Sequence, residues 1–258
     1  DAGKFAPADI EARNNRELRR WFLSHTAQTL DWLRGMGLAF HGPNPEPPNR
    51  VPRMHNVVPN AKAYIARLQS RLLQLGGEIR CERAVKKLLC EDGCVIGVEI
   101  CVLDKSETLA AKRGVVLACG DYANSHILIA EHKGDQFAKI DGINPFATGD
   151  GHRLAQEVDA HLMNMDITYG PEIRFIAPQD KMSFTQLLPA TGPLAWLIGR
   201  LLPFTPQFAV NAFIRRLLVT WQHPENTLFD DGAILINAHG KRFCDETQWP
   251  EREIAIAN

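Results

Sequence analysis

The chain has 258 residues, 29 basic and 30 acidic side chains and a formal charge of −1. That balance excludes the basic excess of a nucleic-acid binder, so no nucleic-acid partner is expected. With 45% apolar and 23% charged residues it reads as a soluble globular protein, long enough for one large domain or two ordinary ones.

The opening segment, Asp1 to Pro7, has no apolar run, so it is not a signal peptide. It also lacks an initiator methionine, which suggests an excised piece of a longer protein. Residues 8–35 read as one helix. Leu18, Phe22, Thr26, Leu30 and Leu33 recur at three- and four-residue steps, Asp9 is a candidate cap, Gly35 and Gly37 end the helix, and Trp21 and Trp32 are expected to pack. Residues 40–60 read as a loop, because prolines and asparagines crowd the stretch from His41 to Asn56. Long loops are often functional, which makes His55 a candidate site residue and a surface histidine the alternative.

A second helix is expected over 60–75, with Ile65, Leu68, Leu72 and Leu75 on one face, stopped by Gly76 and Gly77. Short strands follow at 78–81, 84–90 and 94–103, the last two joined by a hairpin turn at Glu91-Asp92-Gly93. Val115 to Ala118 then reads as a strand buried on both faces, and Gly120 allows a sharp turn beyond it. Small residues at the carboxyl end of such a strand mark the ligand edge of open α/β sheets, so a nucleotide cofactor is expected there. A short helix is expected over 126–132. Another follows Asn144 to His152, with Thr148 and Asp150 as candidate caps.

Residues 166–228 are broken by prolines. Between Leu187 and Leu218 the sequence is rich in Leu, Phe, Trp and Ala, but Arg200, Arg215 and Arg216 interrupt any run of the ~20 apolar residues that a membrane span needs. Buried cap helices are the primary reading; a surface that touches a membrane or admits an apolar substrate is the alternative. Gly232 to Asn237 and Lys241 to Glu246 read as two strands around a turn, followed by a helix near the chain end. Cysteines at 81, 90, 94, 101, 119 and 244 form no CxxC pair, which favours reduced thiols, a cytoplasmic location and no metal site; a Cys90–Cys94 disulfide is the alternative.

Three blocks then resemble the flavoprotein family of fumarate reductase, succinate dehydrogenase and 3-ketosteroid Δ1-dehydrogenase. Gly114-Val115-Val116-Leu117-Ala118-Cys119-Gly120-Asp121 is similar to the family's VVLATGGF strand end. Ala147-Thr148-Gly149-Asp150-Gly151, followed by Leu154-Ala155, resembles its TGDGxxLA block. Gly232 to Asn237, with Gly240-Lys241-Arg242-Phe243 and Asp245-Glu246, resembles its GAILVNxxGKRFxxE block, the most specific of the three.

The resemblance implies an α/β fold, α+β in part. The expectation is an incomplete flavin-binding Rossmann-like domain with an antiparallel β-meander over 1–165, then part of an α+β capping domain over 166–258. The family's GxGxxG unit is missing, so FAD is expected in an intact parent protein and not in the isolated chain. The implied FAD contacts are Val85, Ala118, Cys119, Gly120, Asp121, Thr148, Gly149, Asp150 and Gly151. The implied activity is hydride transfer between flavin and a carbon–carbon bond beside a carbonyl or carboxylate. The substrate would be a small apolar ketone or a dicarboxylate. The family's Arg or Tyr proton donor falls at Pro250, which has no proton to give. Arg252, two residues on, is the candidate donor, and pairing with Glu251 or Glu253 on the surface is its alternative role. Gly170-Pro171 is nearer the ketosteroid-type sequence, and Tyr169 beside it is a candidate for the substrate cavity.

Overall fold

A computed structural model describes residues 8–45, 49–103, 105–168, 170–173, 188–201, 204–206, 208 and 226–257. It is a mixed helix and strand structure whose sheets are antiparallel. The chain forms two compact units: Asp1–Ile79 with Phe175–Trp221, and Arg80–Arg174 with Gln222–Asn258.

The first unit begins with α1 (Ala8–Ala12) and α2 (Arg16–Gly35) in place of one helix. Asn15, not Asp9, caps α2, its side chain accepting the Leu18 N–H at 2.9 Å. Gly37, at a φ of +86°, turns the chain out of α2, as its position in the sequence suggests. No residue of α2 is buried, and Trp21 and Trp32 are exposed instead of packed. The apolar stripe states what the helix must cover, but no described element supplies the cover.

The expected loop at 40–60 is instead a two-stranded antiparallel hairpin, β1 (Ala39–Asn44) and β2 (Met54–Val58). Proline is tolerated because each strand is an edge and the ladder breaks between His41 and Asn44, where Pro43 has no hydrogen bond to donate. Helix α3 (Lys62–Gln74) packs on β2, and α6 (Pro193–Leu201) packs on both strands. Leu38, Val58, Ala63 and Ala195 form the small core between them. Of the apolar side chains of α6, only Ala195 is buried, contrary to the expected buried cap helix. The other apolar cap segments lie outside the described residues. Among the described residues, no helix is long and apolar enough to cross a membrane.

The second unit is built on a three-stranded meander, β3 (Ala84–Glu91), β4 (Cys94–Val102) and β5 (Lys105–Ala110). Asp92 and Gly93 both take positive φ, +49° and +75°, the two-residue turn whose twist suits a hairpin. Gly97 lies so close to β5 that a Cβ there would stand 2.4 Å from the Leu109 carbonyl oxygen. Leu88 and Ile100 carry the sheet's buried face. Helices α4 (His126–Lys133), α5 (Asp150–Gln156), α7 (Asn226–Asp230) and α8 (Glu251–Ala257) complete the unit. Residues 78–81 do not form the expected strand.

The run Val115–Ala118 also differs from its reading. It is not in a ladder, and Val116 is 90% exposed. An apolar run reports side chains that need burial; burial on two faces needs neighbours on both, and the described residues provide none. Residues 232–246 form a tight turn with a single bridge, Ile236 to Arg242, in place of two strands.

Candidate functional site

Two of the three sequence blocks meet in the second unit. Gly149 precedes α5 at a φ of +74°, and a Cβ there would lie 2.9 Å from Tyr122 Cβ and 2.3 Å from Leu128 Cδ1. A Cβ at Gly151 would lie 3.0 Å from Cys119 Cβ. The strand-end residues therefore sit in the space that missing side chains leave at the start of α5. Helix α5 packs in turn on β3, which carries Val85. Fold contacts thus gather Cys119, Gly149, Gly151 and the Val85 strand in one region, with Ala118, Gly120, Asp121, Thr148 and Asp150 as their chain neighbours.

The backbone there is open. The N–H groups of Gly149, Asp150 and Gly151 have no acceptor among the described residues, and residues 114–120 make no backbone hydrogen bond. No side chain caps α5, which corrects the expected caps Thr148 and Asp150. Thr148 Oγ1 instead donates to Asp150 Oδ2 at 3.0 Å, and Arg153 donates to the other carboxylate oxygen. The Arg153 hydrogen bond first, and the Thr148 bond after it, hold the Asp150 carboxyl below its ordinary range. The start of α5 therefore offers free N–H donors, favourable to an anion, beside a carboxylate able to accept hydroxyl groups. Both suit a phosphate- and hydroxyl-rich cofactor such as FAD. Asp121 is committed to its own turn, accepting the Ala123 N–H at 2.8 Å.

Tyr122, which sequence reasoning did not single out, braces this region. Its hydroxyl donates to the Met165 carbonyl, and its ring stands edge-on to His152 at 5.1 Å and to His132 at 6.5 Å. Burial, followed by the carboxylates of Asp166 and Asp121, pushes its phenol above the ordinary value. A tyrosine two residues beyond Gly120 was the available signal.

The third block is a polar knot. Glu246 is 2% exposed and accepts the Leu235 N–H at 2.6 Å and the Arg242 guanidinium at 2.6 and 3.0 Å. The Arg242 hydrogen bond, then that from Leu235, holds the Glu246 carboxyl below its usual value. Arg252 lies beside this knot and not on the surface. It is 4% exposed, donates Nη1 to the Glu246 carbonyl at 2.9 Å, and stacks 4.4 Å over the Phe229 ring. Its Nε donates to Glu253 Oε1 at 2.9 Å, so the pairing with Glu253 exists but is buried. Glu253 Oε2 is buried and has no hydrogen-bond partner among the described residues.

His55 is half-buried on β2 in the first unit, its Nδ1 2.9 Å from the Arg53 carbonyl oxygen. Val85, the 118–121 and 148–151 segments and Arg252 belong to the second unit. Tyr169 lies outside the described residues. All six cysteines are free, and among the described residues no cluster of His, Cys, Asp and Glu is arranged to hold a metal.

A family model, the FAD binding domain, matches residues 5–189. The chain is 25% identical over 231 residues to the NADH:acrylate oxidoreductase of Vibrio harveyi, covering 86% of this chain and 19% of that protein. It is 24% identical over 251 residues to the fumarate reductase of Schizosaccharomyces pombe, covering 89% of this chain and 41% of that protein. A solved structure similar to this chain is the 3-ketosteroid-Δ4-(5α)-dehydrogenase of Rhodococcus jostii in complex with 4-androstene-3,17-dione, at a TM-score of 0.49 and 19% identity over 71% of this chain and 46% of that one. The chain spans less than half the length of these curated relatives. With most of its length matched by that model, and the glycines of the second block turned toward the strand end, the chain belongs to the FAD binding domain family of fumarate reductase-like flavoproteins.

Proposed function

We propose that this chain is part of an FAD-dependent oxidoreductase that transfers hydride between flavin and a carbon–carbon bond adjacent to a carbonyl or carboxylate, as a dehydrogenation or an ene reduction. The observation that supports it is the close approach of Cys119 and Tyr122 to Gly151 and Gly149, beside open N–H groups at the start of α5. When bound, FAD supplies the redox chemistry. The chain's own residues hold and orient it. Gly149, Asp150 and Gly151 present backbone donors, and the Asp150 carboxylate accepts hydroxyls. Val85, Ala118, Cys119 and Gly120 line the approach through their backbone, Asp121 fixes the turn that follows, and Thr148 fixes the Asp150 carboxylate. Arg252, Tyr169 and His55 are the candidates for moving the second proton, a step worth typically ~10²–10⁴-fold in rate. Arg252 serves only if its pair with Glu253 opens. The free thiols favour a reducing, cytoplasmic compartment. A small apolar ketone or a dicarboxylate is the substrate, and the apolar cap sequence is suited to contact with a membrane surface.

Residues 1–165 are assigned to the flavin domain and 166–258 to a capping domain, both incomplete. Because residues 114–120 join no strand ladder and Val116 is exposed, the chain alone supplies one wall of the flavin pocket and is expected to purify colourless. A yellow isolated chain would overturn that assignment. The function is tested on the parent polypeptide. Bound flavin, read from its visible absorbance, should be lost in Gly149→Val and Gly151→Leu, with Tm recorded to separate lost binding from lost folding. Full flavin content in both variants sinks the proposal.

A further inference from the structure

A second concavity lies within the first unit, bounded by α3, the β1–β2 hairpin and α6. Its volume is about 270 Å³. Leu38, Val58, Ala63 and Ala195 line it and are buried, so its floor is apolar. Helix α6 lies close against the hairpin, since a Cβ at Gly199 would stand 3.0 Å from Ala39 Cβ. Two cations enter from opposite elements, Arg67 from α3 and Arg200 from α6, and no lining residue is acidic. Arg200 is seated on the Trp196 ring, its guanidinium 5.5 Å from the ring centre. Arg67 is held over the Gly37 turn, its guanidinium carbon 3.6 Å from where a Gly37 Cβ would be. Neither arginine has a hydrogen bond or ion pair among the described residues, although ion pairs form elsewhere in the unit, as between Arg19 and Glu11 at 2.8 Å.

Uncompensated guanidinium groups at the rim of an apolar hollow favour an anion, and the planar fork of arginine matches a carboxylate. The hollow is slightly smaller than the ~300–1,000 Å³ typical of ligand sites, which limits the apolar part to a short chain or one ring. We propose that this pocket binds a small carboxylate with an apolar body, its carboxylate held between Arg67 and Arg200 and its apolar part on the Leu38–Val58–Ala63–Ala195 floor. The site does not depend on the flavin reading, and its test requires no flavin.

The test is titration of the full chain with hexanoate, followed by calorimetry and by the methyl NMR signals of Leu38 and Val58, with hexan-1-ol and hexylamine as controls. Hexanoate should saturate and shift those methyl signals, with affinity roughly tenfold or more above either control, the scale of a charge-assisted hydrogen bond. Arg67→Met and Arg200→Met should each weaken hexanoate roughly tenfold, and Arg67→Lys should keep an intermediate affinity, because the charge stays while the fork is lost. Circular dichroism checks that each variant is folded. If a variant unfolds, the wild-type preference for the carboxylate and the Leu38 and Val58 shifts decide the matter alone. Absence of saturation, equal binding of hexylamine, or methyl shifts confined to other residues would overturn the proposal.

Discussion

Replacing Arg252 by methionine removes the cation of a buried pair. Arg252 and Glu253 are each 4% exposed, so Arg252→Met leaves a carboxylate without solvent and without its partner. Breaking a buried pair from one side costs about 3–5 kcal/mol, because the remaining charge is uncompensated. The Glu246 carbonyl also loses the 2.9 Å bond from Nη1, and Phe229 loses the stacked guanidinium at 4.4 Å. Methionine restores part of that last contact as a polarisable filler. The second replacement makes the reasoning testable. In Arg252→Met/Glu253→Leu neither charge of this pair remains, and swapping a buried pair for apolar groups is often neutral. The double variant should therefore recover most of the loss and lie within ~1–2 kcal/mol of wild type. Urea unfolding followed by circular dichroism, with all variants sharing one m-value, gives the cycle. The reasoning fails if Arg252→Met lies within about 1 kcal/mol of wild type, or if the double variant is no more stable than the single one.

Other outcomes follow from the same contacts. The Glu246 carboxyl titrates below its ordinary value in the fold, so the stability it contributes is present above the unfolded value of about 4.3 and is lost as pH falls through the lower folded value; acid unfolding curves of Glu246→Gln should lack this component. Tyr122 is shifted the other way, so its contribution is present below an unfolded value of about 10 and is lost as pH rises through the folded one. Tyr122→Phe should remove that alkaline component and cost about 1 kcal/mol at neutral pH, the worth of the bond to Met165, by urea unfolding. Gly149→Ala should lower stability by about 1–3 kcal/mol, because its Cβ would meet Leu128 and Tyr122 and its φ is +74°; an unchanged Tm would refute the close approach. Cys119 is exposed beside Gly151, so iodoacetamide should label it in the parent protein without flavin and more slowly with FAD present; equal rates would place the cofactor elsewhere.

Part of the local structure was legible in the residue pattern. Three- and four-residue spacing marked α2 and α3, Asp92-Gly93 marked the meander turn, and Gly37 marked the end of the first helical stretch, because helices and tight turns depend on bonds between near neighbours. The residue pattern also carried the family, since the glycines at 149 and 151 fall within the stretch that the family model matches. Which apolar surfaces are covered was not legible in that pattern. Val116 and Trp32 have the residue types of a core and are exposed, because burial depends on neighbours far along the chain or outside it. Pairing was decided the same way. A proline-rich stretch became β1 and β2 because a two-stranded hairpin tolerates a break in its ladder. Arg252 became a buried partner of Glu253 because α7 brings Phe229 beneath it, a proximity between residues 229 and 252 that no local pattern encodes.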